Sequence, residues 1–277
     1  MILTLCIMLV ATCCHCAFAA TLHEFLPPWM ISRAASAVIS HDELMRLAEY
    51  DLVVVIDSSA SMTYKCGFPP GALGREPDNI KADVSEVRSA PMTRWEWCLT
   101  QAAELTRQTS EALGGRLSVV LFANNSTIYK NVSPTDIRQI LASRRPTGGT
   151  RATDALKRLM DAYFERKAAN GEQTRPLLIA FITDGCPEDA CSLRSAIVRA
   201  TRKMDRPGEI NLTFLQVGND PRAPKLLEGL KRKLMQENAQ FDIVNVKRFA
   251  ELNKKGLARA LYEVISAVPA NPRVSSN

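Results

Sequence analysis

Asp57, Ser59 and Ser61 stand at i, i+2 and i+4 in the stretch Asp-Ser-Ser-Ala-Ser, so an extended turn aims one carboxylate and two hydroxyls the same way. Hard oxygens gathered like this suit a cation such as Mg²⁺, with Mn²⁺ or Ca²⁺ as the other oxygen-seeking candidates. Taken alone they equally suit ordinary turn and cap chemistry. Two distant segments enlarge the set. Thr150 follows Gly148-Gly149, where backbone can approach closely, and Asp184 stands in Ile-Thr-Asp-Gly behind an apolar run.

Other chemistries are poorly served. All three histidines, His15, His23 and His41, precede residue 50, which leaves no imidazole for a Ser-His-Asp or Cys-His nucleophile or for a zinc site. No Gly-x-x-x-x-Gly-Lys phosphate loop occurs. Two carboxylates and Mg²⁺ could serve a hydrolase of phosphoesters, the alternative reading, but no general base accompanies them and the serines dilute the charge. The chain therefore reads as a binder and not an enzyme.

These residues must be positioned by the elements around them. Residues 52–56 are five apolar, mostly β-branched side chains running straight into Asp57, the pattern of a strand buried on both faces of a parallel sheet. Residues 177–183 repeat it and lead into Asp184. Parallel strands end on one edge of the sheet, the edge where open α/β folds keep their ligand sites, so the two carboxylates meet there. Periodicity and punctuation predict further strands over 117–123, 126–132, 210–217 and 241–246. Helices are predicted over 42–49, 93–113, 134–143, 151–166, 190–203, 222–237 and 249–268. The alternation gives an α/β fold: a doubly wound, mostly parallel, Rossmann-like sheet flanked by helices, with one antiparallel edge strand from a hairpin at Asn124-Asn125.

The chain has 277 residues, of which 46% are hydrophobic and 23% charged, ordinary for one sizeable globular core. Its net charge of +6 is spread along the sequence. The C-terminal basic residues have few aromatics beside them, so no nucleic-acid partner is expected. Residues 1–19 carry no Asp, Glu, Lys or Arg and end in Ala17-Phe18-Ala19, which reads as a signal peptide. An uncleaved or lipidated segment would instead tie the protein to a membrane. Residues 20–48 read as an arm, 63–92 as a proline- and glycine-rich insertion beside the proposed site, and 268–277 as a free tail. Cys66, Cys98, Cys186 and Cys191 remain after the leader; they fit either two disulfides or four thiols.

On Asp57, Ser59 and Ser61, on Thr150 in Thr-Gly-Gly-Thr and on Asp184 in Ile-Thr-Asp-Gly, the sequence resembles the von Willebrand factor type A (vWA) domain. The resemblance covers residues 49–267. It implies a metal-ion-dependent adhesion site in which the Ser and Thr hydroxyls coordinate Mg²⁺ or Mn²⁺ and the two Asp act mainly through water. It also implies that an Asp or Glu carboxylate of a partner protein fills the open position, and that the final helix moves with the site. The insertion departs from the family pattern and leaves the particular ligand open. The expectation is a secreted module, extracellular or periplasmic, for divalent-cation-dependent protein binding.

Overall fold

The computed structural model describes residues 39–66, 92–218 and 222–267; the leader, most of the arm and of the insertion, and the tail lie outside the described residues. Local sequence sets where elements begin. Helix α1 (His41–Leu47) starts one residue earlier than predicted because Ser40 and Glu43 exchange hydrogen bonds in a capping box. Thr93 with Glu96 starts α2 (Arg94–Leu113) in the same way, and Ser133 with Asp136 starts α3 (Pro134–Ala142).

Six strands form one sheet: β1 (Asp51–Asp57), β2 (Ser118–Phe122), β3 (Ser126–Tyr129), β4 (Leu177–Thr183), β5 (Ile210–Gln216) and β6 (Val244–Lys247). Their order is β3-β2-β1-β4-β5-β6, with β3 antiparallel to β2 and every other pair parallel. Between and after them run α4 (Thr153–Asn170), α5 (Ala190–Thr201), α6 (Arg222–Gln236), α7 (Phe249–Lys255) and α8 (Leu257–Ala267). This is the doubly wound, Rossmann-like architecture with one antiparallel edge strand.

Alternation along the strands feeds two cores. Leu52, Val54 and Ile56 of β1 face one side with Leu178, Ala180 and Ile182 of β4, packed against Trp97, Cys98 and Leu105 of α2 and Leu257 and Leu261 of α8. Val53 and Val55 face the other with Ile179 and Phe181, under Leu156 of α4, Ile197 of α5 and Leu227 of α6. There the Phe181 ring packs edge-on to Phe214 with centroids 5.1 Å apart and lies tilted against Phe122 at 4.8 Å. Strands covered on both faces cannot slip register without driving apolar side chains out of these cores, which fixes where β1 and β4 end.

Several predicted elements have other bounds. The strand predicted over 126–132 stops at Tyr129, and Asn131 turns the chain with φ 54°. The strand predicted over 241–246 starts only at Val244, whose amide is held by Asp242 Oδ1 at 3.3 Å. The single closing helix is two helices: Gly256 breaks it with φ 78°, and the Leu257 amide starts α8 by donating to Gln101 Oε1. Of the two readings of Cys66, Cys98, Cys186 and Cys191, the structure carries the four thiols. Cys98 is fully enclosed as a small hydrophobic residue, and Cys191 Sγ is engaged by Arg194 Nη2 at 3.7 Å.

Candidate metal centre

The pairing of β1 with β4 runs to Ile56 opposite Ile182, so the next residues, Asp57 and Thr183, lie abreast at the carboxyl edge. The Thr183 hydroxyl donates to Asp57 Oδ2 at 2.8 Å, and Asp184 follows one residue on. After Asp57 the chain turns sharply. The Ser59 amide donates back to Asp57 Oδ1 at 2.8 Å, and a short 3₁₀ helix (Ala60–Thr63) presents Ser61.

Main-chain hydrogen bonds then stitch the third segment in. The Thr147 amide donates to Ser58 O at 2.8 Å, and the Ala60 amide donates to Gly148 O at 3.1 Å. Gly148 has φ 82°, which a side chain would strain. At Gly149 a Cβ would come within 2.7 Å of a Glu188 carboxylate oxygen, and the Gly149 amide donates to Asn124 Oδ1 at 2.9 Å. The Glu188 amide closes the loop onto Thr150 O at 2.9 Å.

Side chains complete a continuous network. Ser61 Oγ donates to Asp184 Oδ1 at 3.1 Å, and Ser59 Oγ lies 3.1 Å from Ser61 Oγ. Asp184 Oδ2 is taken by Arg94 Nη1, at the first position of α2. Asp57, Ser59, Ser61 and Asp184 are thus joined side chain to side chain, or through one amide, while the loop that carries Thr150 meets them through Gly148 O and the Ala60 amide. Asp57 is wholly buried, and burial pushes its carboxyl up to about 7; hydrogen bonds from Ser59 and Thr183 oppose the rise, and the Asp184 charge adds to it.

Among the described residues no three His, Cys, Asp or Glu side chains gather where they could hold a metal, so a cation here must draw on the hydroxyls. The donor set suits that role. Ser61 commits its proton to Asp184 Oδ1 and so accepts from Ser59, which leaves one lone pair on its oxygen and both on that of Ser59, and a positive charge would relieve the cost of ionising Asp57.

Arg94, Thr183 and Asn124 also belong to this arrangement, and sequence reasoning passed over their roles. Thr183 carried a signal, since it precedes Asp184 at a strand end that pairs with β1. Arg94 carried none, because its burial depends on Gly218, across a different strand. The insertion is held at its neck: Lys65 pairs with Thr93, and the Cys66 amide donates to Met92 O at 2.8 Å.

The strand order makes a doubly wound, Rossmann-like fold with this cluster at the carboxyl edge of its sheet. No family model matches the chain, and no curated protein matches it either. Among solved structures the chain is similar to the PilB minor pilin of Streptococcus sanguinis, at 14% identity and a TM-score of 0.45 over 78% of this chain and 59% of that one. It is similar to proximal thread matrix protein 1 of the mussel byssus with a zinc-occupied MIDAS motif, at 14% identity and a TM-score of 0.44 over 78% and 46%. A von Willebrand factor type A protein from Catenulispora acidiphila follows at 14% identity and a TM-score of 0.40 over 78% and 41%. The chain spans less than two thirds of the length of each. No helix among the described residues is long and apolar enough to cross a membrane.

Proposed function

We propose that the domain is an exported protein-binding module that holds a divalent cation at Asp57, Ser59, Ser61, Thr150 and Asp184 and uses it to grip an Asp or Glu carboxylate of a partner. The observation that carries this reading is the network at the strand ends: two carboxylates from distant sequence joined through paired serine hydroxyls, with the Ser61 proton already turned toward Asp184. The serines and Thr150 would hold the ion, with the two aspartates beside them. Because those hydroxyls are neutral, the ion would keep most of its charge for an incoming carboxylate. Mg²⁺ gives up water reluctantly but exchanges single waters for such a ligand, and Mn²⁺ suits the same oxygens.

Calorimetric titration of the domain with Mg²⁺ and Mn²⁺ tests this reading. One cation per chain is expected for the wild type and none for Asp57→Ala; no uptake by the wild type, or equal uptake by both, removes the site. Cation-dependent capture of an acidic peptide that is lost when its carboxylate is amidated would then establish the grip.

A further inference from the structure

We propose that Arg94 is the resident counter-charge of this site, setting how tightly it takes a cation and how strongly the loaded site attracts an acidic partner; the inference rests on the cation reading above. Arg94 is built into the centre. Its side chain is 1% exposed and its guanidinium binds Asp184 Oδ2, the oxygen left over when Ser61 takes Oδ1. Its amide donates to Tyr64 O at 2.8 Å, and its guanidinium carbon stands 5.6 Å from the centre of the Tyr64 ring. On the other side it lies across Gly218, where a Cβ would sit 2.5 Å from Nε. Gly218 follows β5, which pairs Gln216 with Thr183, so the glycine opens a slot beside Asp184 for this one side chain.

The charge count follows from these contacts. Two ionised aspartates alone would give the cluster two negative charges; with Arg94 it has one. A bound dication then leaves one net positive charge facing the partner, where without Arg94 the charge would be neutralised. Arg94 therefore weakens cation binding and strengthens the pull on a carboxylate. A merely structural arginine would do neither.

Mg²⁺ titration of wild type, Arg94→Gln and Arg94→Lys, with folding checked by circular dichroism, reads the first effect. Arg94→Gln should bind Mg²⁺ about tenfold or more tighter, by Coulomb attraction at short range, and Arg94→Lys should stay near the wild type. The Mg²⁺-loaded Arg94→Gln domain should in turn hold an acidic peptide more weakly. Because loss of Arg94 alone can unfold the domain, the same comparison is made between Asp184→Asn and the double variant Asp184→Asn with Arg94→Gln, where a neutral amide pair replaces the ion pair. The double variant should bind Mg²⁺ more tightly than the single. Equal or weaker uptake in both comparisons would overturn it while leaving the cation site standing, whereas no uptake by any folded form removes both.

Discussion

Asp57→Asn separates the cost of a buried carboxylate from everything else that titrates. In the cation-free domain the Asp57 carboxyl is held up to about 7, against an ordinary value of 3.8. Between those values the folded chain keeps a proton that the unfolded chain has released, so stability falls as pH rises from about 4 to about 7. Three pH units at about 1.4 kcal/mol each put the loss at roughly 4 kcal/mol. The asparagine fits the same hydrogen bonds. Its Oδ1 accepts the Ser59 amide, and its Nδ2 can donate to Thr183 Oγ1, whose own proton turns to Gly185 O, 3.1 Å away.

Urea unfolding of both proteins in a chelator, from about pH 5 to about pH 8, isolates this group, because all other titrations cancel in the difference. Near pH 5 the two should be close in stability. Near pH 8 Asp57→Asn should be the more stable by a few kcal/mol. Adding Mg²⁺ should raise the wild type at the upper end of the range and leave the variant unmoved, since a cation stabilises the ionised form and only the wild type has one. Parallel curves in chelator across the whole range would refute the assignment of a strained carboxylate at Asp57.

Gly218→Ala should destabilise the domain by about 2 to 4 kcal/mol, since it combines a φ of 77° with a Cβ 2.5 Å from the buried Arg94; Gly149→Ala should cost about 1 kcal/mol or less, because the exposed Glu188 carboxylate can swing away, and thermal unfolding compares them. Phe181→Ala removes the middle of three contacting phenylalanine rings and should cost about 3 to 5 kcal/mol in the same assay. In native-state alkylation mapped by mass spectrometry, the exposed Cys191 should react first. Cys66, held up to about 11 by burial, should lag, and Cys98, fully enclosed, should wait for unfolding.

The parts legible in sequence are those that one segment specifies alone. Residues 52–56 and 177–183 announced buried strands by their unbroken apolar runs, and parallel pairing then obliges Asp57 and Asp184 to share an edge, which the register confirms. Helix starts at Thr93 and Ser133 were readable because a cap is a four-residue device. What failed was set by competition between segments. The closing helix breaks at Gly256, a residue whose cost in a helix is small enough for tertiary contacts to decide, and Gln101 from α2 supplies the contact that starts α8.

Arg94 is the sharper case. A lone arginine before Trp95 at a helix start looks like a solvated charge, since arginine is rarely buried unless paired. Its burial needs an acceptor just past β4, a ring from the turn after β1 and a missing Cβ after β5. Three separate segments must be folded before that combination exists, so no window of sequence contains it. The aspartates were found because each ends its own strand, whereas the charge that sets their balance comes from a residue whose place only the assembled sheet determines.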